Sequence, residues 1–291
     1  MIDKSQLRVS LVIPVYNEES HLAFCLDAIA KMTVTPFEVI VVDNNSTDES
    51  AAVASQYSFV RVITEARQGV VFARDTGFNA VRGDIIGRID ADTQLPADWV
   101  AVVRKIFTDP AVAATSGKIH YYDQAFARVG DRVDNFCRRH LSRVQEHSSS
   151  VFLQGANLAL RKDAWLATRN NMCHLDGIHE DFDLAIHLQE VGFKVTFDER
   201  LVAGISSRRI DSNIASFVRY LLVCPRTYAF HGLRSRFYMY IVGFIWMCMY
   251  VPGYLGYKSY DPSTGKYSLA RILRPRTWVT RVDPSTIFFD V

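Results

Sequence analysis

An α/β fold with a mixed, mostly parallel sheet flanked by helices, followed by a helical, aromatic-rich C-terminal extension, is what this sequence predicts. Three observations carry that expectation. Apolar, β-branched runs alternate with helix-period stretches over the first ninety residues. Those runs lack polar alternation, as strands buried on both faces do. The β pattern then stops near Ser207, where the composition changes.

The elements follow in order. Val9 to Val15 and Phe37 to Val42 read as buried strands, and Leu22, Cys25, Leu26 and Ile29 recur between them at helical spacing. Phe59 to Ile63 and Asp84 to Ile89 supply two more strands, separated by a helix from about Gly69 to Val81. Four strands and three helices are expected before Asp90. Pro96 suits the first turn of a helix running to Phe107, and Val112 to Tyr121 is the next strand. The polar stretch from Asp123 to Glu146 reads as helical. A strand near Ala156 to Leu160, a helix from Glu180 to Val191 stopped by Gly192, and strands around Val195 and Ile205 complete the sheet. The chain thus divides into a catalytic domain over residues 1–206 and an extension over residues 207–291.

Bulk composition narrows the function. Of 291 residues 49% are hydrophobic and 22% charged, as in ordinary folded proteins. A net charge of +2 gives no whole-chain reason to bind nucleic acid. The five cysteines are scattered and form no C-x-x-C pair, so neither a disulfide framework nor a zinc motif is signalled, and a reducing cytoplasm fits best. The apolar run from Leu11 to Val15 is short, contains Pro14 and leads into Asn17-Glu18-Glu19. It reads as a strand and not as a secretory signal.

Asp90-Ala91-Asp92 lies where the strand Ile85-Ile86-Gly87-Arg88-Ile89 ends. In extended backbone residues i and i+2 point the same way, so both carboxylates can meet a hard divalent cation that keeps room for phosphate oxygens. A turn that caps the helix after Pro96 is the competing reading.

The company of this turn points further. Ser10-Leu11-Val12-Ile13-Pro14-Val15-Tyr16-Asn17-Glu18-Glu19, then Val41-Val42-Asp43-Asn44-Asn45-Ser46-Thr47-Asp48, then Asp-Ala-Asp, resemble in order and spacing the family 2 glycosyltransferases of the GT-A fold, over residues 8 to 205. The resemblance implies inverting sugar transfer from a nucleoside diphosphate sugar, UDP-linked in preference to GDP-linked, onto a hydroxyl acceptor.

Carried over by position, Pro14, Tyr16 and Glu18 match the first nucleotide-contacting turn, and Asp43 matches the acid facing the nucleoside. Asp92 would hold Mn²⁺ or Mg²⁺, with Asp90 assisting or holding ribose. Arg74 resembles the basic donor-site position, a salt bridge with Asp75 or Asp84 being the alternative. Asn157, in Gln154-Gly155-Ala156-Asn157, borders the sugar pocket by resemblance; satisfying buried backbone is its other reading. Glu180-Asp181 resembles the family's Glu-Asp motif, whose Asp is the catalytic base and whose Glu supports it. The same acids would also complement a helix N-terminus.

Two departures matter. The Gln-x-x-Arg-Trp motif of processive relatives does not occur, which favours a single transfer. Ser206-Ser207-Arg208-Arg209 stands where many relatives place a histidine metal ligand, and no histidine is there. A nucleotidyltransferase would need a Gly-rich phosphate loop where this chain has Tyr16-Asn17-Glu18-Glu19-Ser20. A sugar-nucleotide-binding module without turnover is the third alternative.

From Ser207 to Arg236 six arginines face one acid, and residues 237–257 carry no charge and many aromatics. That is the pattern of an interfacial anchor on the inner face of a membrane, with a lipid-linked acceptor. Helices packed over the sheet, or a homodimer contact, are the competing readings.

Overall fold

A computed structural model describes residues 7–123, 129–137, 139, 153–261 and 266–272. Its described residues fall into two compact units: Met1–Lys118 with Leu141–His174 and Glu180–Gly204, and Ile119–His140 with Leu175–His179 and Ile205–Val291.

The first unit is built on a seven-stranded sheet. The elements run β1 (Val9–Val15), α1 (Glu19–Ala30), β2 (Glu38–Asp43), α2 (Ser50–Ser55), β3 (Val60–Thr64), α3 (Val70–Ala80), β4 (Ile85–Arg88), α4 (Trp99–Ile106) and β5 (Val112–Tyr121). After α5 (residues 129–137), which belongs to the second unit, come β6 (Leu158–Arg161), α6 (Lys162–Thr168), α7 (Glu180–Glu190) and β7 (Lys194–Ile205). The strand order is β3-β2-β1-β4-β6-β5-β7. Strands β1 to β4 are mutually parallel and β6 runs antiparallel to both β4 and β5, so the sheet is mixed and mostly parallel, as expected.

Apolar runs become central strands here because both faces are covered. On one face Leu11, Ile13, Val39 and Val41 pack with Leu22, Cys25, Leu26 and Ile29 of α1 and Trp99, Val100 and Val103 of α4. On the other, Val12, Ile40, Val42 and Ile86 pack with Ala73 and Phe78 of α3, Trp165 of α6, and Leu184, Ala185 and Leu188 of α7. Each fully buried large side chain contributes about 1.5–3 kcal/mol relative to exposure.

Three boundaries depart from expectation. The strands expected around Val195 and Ile205 are one continuous strand, β7. The helix expected from Pro96 begins at Trp99, Pro96 instead accepting the Trp99 N–H in a preceding turn (3.1 Å). A 3₁₀ turn, Gly155–Asn157, takes the place of the start of the strand expected near Ala156. Of the helix expected over 123–146, residues 129–137 are helical, and the remainder beyond Asp123 lies almost wholly outside the described residues. Helix α7 ends at Glu190, one residue short of the expected Val191, ahead of Gly192, whose φ of +87° suits glycine.

In the second unit α8 (Ile214–Phe230) packs with α9 (Arg236–Ser259). Phe217 stacks at a tilt on Tyr250 (4.7 Å), whose hydroxyl donates to the Ser212 carbonyl (3.0 Å). Lys258 pairs with Asp211 at 2.6 Å. Asn213 caps α8, its side chain accepting from the Ser216 N–H. Two antiparallel strands of two residues each follow, Tyr260–Asp261 and Lys266–Tyr267, which the sequence pattern did not announce.

Candidate active site

The carboxyl ends of β1, β2 and β4 carry the residues singled out above, at the sheet edge where open α/β folds take ligands. Strand register sets Pro14 opposite Val42 and Val15 opposite Asp43, so the turns after β1 and β2 leave the sheet side by side. Each passes through an asparagine in the left-handed region, Asn17 (φ +53°) and Asn45 (φ +59°), a conformation asparagine tolerates.

Side chains knit these turns together. The Asn17 N–H donates to Ser46 Oγ and its Oδ1 accepts from the Thr47 N–H at 2.8 Å. Asn44 donates to the carbonyls of Glu65 and Arg67 and accepts from the Gly69 N–H at 2.7 Å, joining β2 to the start of α3. Tyr16 is half-buried beside this knot. Asp43 is buried, and its Oδ1 has no hydrogen-bond partner among the described residues. An unmet acceptor at a strand end suits the N–H or O–H of a ligand.

Glu18, Asp90 and Asp92 share a neighbourhood around the buried Cys25. Burial pushes the Cys25 thiol well up, and the charges of Asp92, Asp90 and Glu18 push it further. The Asp90 side chain is 45% exposed, while Asp92 is buried. Thr93 holds the turn shut, its Oγ1 accepting the Asp90 N–H at 3.2 Å.

The first turn of α7 brings the other acids to the same place. Asp181 is buried and its Oδ2 accepts the Gly155 N–H at 2.6 Å. Between the two acidic groups lies Arg88, 3% exposed. Its Nη2 is 3.0 Å from Asp90 Oδ1 and 3.5 Å from Glu180 Oε1, and its Nη1 is 3.5 Å from Asp181 Oδ2. Burial disfavours this charge, but Asp90, Asp181, Glu180 and Asp92 outweigh it and raise the guanidinium's pKa. Four carboxylates around one guanidinium leave an excess of negative charge with oxygen donors. That donor set fits a hard divalent cation at Asp92 and Asp90.

Two expected donor contacts are placed elsewhere. Arg74 is fully buried, clasping Asp75 Oδ1 through Nε (2.9 Å) and Nη2 (2.7 Å) and donating to the Glu180 carbonyl through Nη1 (2.6 Å). Its guanidinium braces the α7 start, and the ion-pair alternative describes it. Asn157 is also fully buried. Its Oδ1 accepts from Trp99 Nε1 (2.9 Å) and its Nδ2 donates to the carbonyls of Lys118 (2.9 Å) and Leu201 (3.1 Å), so it satisfies interior groups rather than facing a pocket.

A family model described as glycosyl transferase family 2 matches residues 10–165, more than half of the chain, from the second residue of β1 through β6. The chain belongs to glycosyl transferase family 2. The chain is 28% identical over 162 residues to the glycosyltransferase AglE of Haloferax volcanii, covering 53% of each chain. It is 30% identical over 137 residues to an undecaprenyl-phosphate 4-deoxy-4-formamido-L-arabinose transferase of Yersinia enterocolitica, covering 44% of this chain and 42% of that protein. It thus spans about half or less of the length of these curated relatives.

Among solved structures the chain resembles a mannosyltransferase from Pyrobaculum calidifontis in complex with GDP-Man and Mn²⁺ (TM-score 0.64, 19% identity, 92% of this chain and 78% of that one). It also resembles glucosyl-3-phosphoglycerate synthase from Mycobacterium tuberculosis with Mn²⁺, UDP-glucose and phosphoglyceric acid (TM-score 0.54, 20% identity, 79% and 81%). At these identities the likeness is one of fold, and the fold is of the GT-A type.

Arg88 is a residue of this site that no motif in the sequence marks. One signal for it was present: a charged residue inside the run Ile85-Ile86-Gly87-Arg88-Ile89, where a buried charge requires partners.

Proposed function

We propose that this glycosyltransferase moves a single sugar, with inversion, from a nucleoside diphosphate sugar to a hydroxyl of a lipid-linked acceptor at the cytoplasmic face of a membrane. One observation carries the reading of the site. Arg88 binds Asp90 on one side and Glu180 and Asp181 on the other, so the metal-ligand turn and the candidate base lie within the span of one guanidinium.

Asp43 Oδ1 accepts from the nucleoside, and Tyr16 lends it an aromatic face, with Pro14 and Glu18 shaping the turn. Asp92 and Asp90 hold Mn²⁺ or Mg²⁺, which when bound offsets the charge gathering on the departing diphosphate. Asp181 takes the proton from the acceptor hydroxyl as that oxygen forms its bond to the anomeric carbon. Gly155 and Arg88 hold the Asp181 carboxylate in place for this. Glu180 shares Arg88 and so supports the base.

A thermal-shift panel of UDP, GDP, CDP and dTDP, each with and without Mn²⁺, tests the donor. The matching diphosphate raises Tm, because a ligand that prefers the folded state stabilises it. Uridine is the expected base, and no shift with any member overturns the donor reading. Asp181→Asn tests the base: turnover is expected to fall by about 10²–10⁴-fold with the diphosphate-induced shift retained.

The lipid acceptor is supported by α9 and by the relatives acting on undecaprenyl phosphate. Helix α9 is long and apolar enough to cross a membrane, and little of it is buried. Phe237, Ile241, Phe244, Val251 and Leu255 are exposed along it at helical spacing, and Arg234 and Arg236 precede them. An apolar stripe beside arginines suits an anionic lipid surface. Cosedimentation with anionic vesicles that weakens in Phe237→Ser/Phe244→Ser supports this reading. A dimer that stays in solution and ignores vesicles refutes it.

A further inference from the structure

Outside the carboxylate cluster around Arg88, the segment ahead of α7 and the helix itself bring together a thiol, a carboxylate and an imidazole. Asp183 and His187 lie four residues apart, on one face of α7. The Cys173 Sγ is 3.9 Å from His187 Nε2, which is 3.4 Å from Asp183 Oδ1, and the three donor atoms all lie within 4.8 Å of one another. Tetrahedral zinc, with nitrogen and oxygen at about 2.0–2.1 Å and sulfur at about 2.3 Å, sets its ligand atoms about 3.3–3.8 Å apart. The observed spacings already approach that figure.

Orientation is the second, independent observation. His187 Nδ1 lies 2.7 Å from Glu190 Oε2, which assigns the Nδ1 proton to the carboxylate and turns Nε2 toward Cys173 and Asp183. A carboxylate that fixes the tautomer of an imidazole ligand is the usual outer partner of a metal-binding histidine. Asp183 is set in the same way, its Oδ2 accepting the Cys173 N–H at 2.9 Å, which leaves Oδ1 on the side of the imidazole. Asp183 is fully buried and His187 nearly so.

We propose that Cys173, Asp183 and His187 bind one Zn²⁺ ion, which clips the segment carrying Cys173 to α7. This site is distinct in chemistry from the donor metal site. Thiolate and imidazole select zinc, whereas the Asp90 and Asp92 carboxylates suit Mn²⁺ or Mg²⁺. Because α7 also carries Asp181, the clip braces the helix that presents the base. A neutral imidazole and a thiolate are the ligand forms, so loading releases protons.

The test uses the full chain stripped with EDTA and titrated with Zn²⁺ or Co²⁺ alone. One equivalent of Zn²⁺ is expected to bind and raise Tm, and to do so equally in Asp92→Asn. Co²⁺ is expected to give a thiolate-to-metal charge-transfer band in the near ultraviolet. Cys173→Ser and His187→Gln should both lose the band and the Zn²⁺-induced rise while keeping the shift with nucleoside diphosphate and Mn²⁺, and Cys173→Ser should do so with a metal-free Tm close to the parent's. A Co²⁺ spectrum of the unmodified chain without the thiolate band overturns the site, whatever the variants do. So does a band that persists in Cys173→Ser.

Discussion

Arg88 Nη1 lies 3.5 Å from Asp181 Oδ2, and the same guanidinium reaches Asp90 Oδ1 at 3.0 Å. One buried cation from the end of β4 thereby joins the Asp-Ala-Asp turn to the acidic opening of α7. It reconciles acids that would otherwise repel one another, and it makes the cluster dependent on a single side chain.

Arg88→Met removes that countercharge. Breaking a buried ion pair from one side costs about 3–5 kcal/mol, because the remaining charges stay buried. The urea midpoint of Arg88→Met should fall accordingly. Arg88→Lys should fall less, since it keeps the charge and loses only the fork.

Gly155→Ala crowds the same cation. A Cβ built there would fall 1.1 Å from Arg88 Nη1 and 2.7 Å from Asp181 Oδ2, so both side chains must move. Overpacking of this kind costs about 1–3 kcal/mol. The distinguishing readout is turnover: sugar transfer should drop well beyond what the loss of folded protein explains, with the nucleoside diphosphate thermal shift preserved.

Asn157→Ala separates an interior role from a sugar contact. The change removes the acceptor of the buried Trp99 Nε1 and the amide that donates to the carbonyls of Lys118 and Leu201. A stability loss of about 1–3 kcal/mol is expected by urea unfolding, with KM for the donor unchanged. A raised KM at full stability would restore Asn157 to the sugar pocket.

Glu65 gives a pH signature. Hydrogen bonds from Arg67, set against burial and helped by Thr76, hold its carboxyl at about 2, below its ordinary 4.5. The folded state therefore favours the ionised form, and this stabilisation is complete above about pH 4.5 and fades as pH falls toward 2. Between those limits the unfolding midpoint of the parent chain should decline more steeply than that of Glu65→Gln.

Much of this site was legible beforehand, for local reasons. The strands β1 to β4 announce themselves as uninterrupted apolar runs, and turns rich in Asp and Asn mark their carboxyl ends. The acids at the start of α7 stand where a helix N-terminus accepts them. The second unit was legible only as a composition shift: the uncharged stretch proved to be helix α9, whereas nothing local foretold the pairing of Tyr260–Asp261 with Lys266–Tyr267.

The sequence by itself determined the parallel half of the sheet, the family, and the placing of Asp43, Asp90, Asp92 and Asp181 at element ends, because periodicity and turn chemistry act over a few residues. Only the tertiary structure decided that Arg88 serves Asp90 and Asp181 together, that Arg74 closes on Asp75 and the Glu180 carbonyl, and that Asn157 satisfies Trp99. Those pairings span up to 106 residues and arise because β6 inserts beside β4, an arrangement set by burial across the whole sheet.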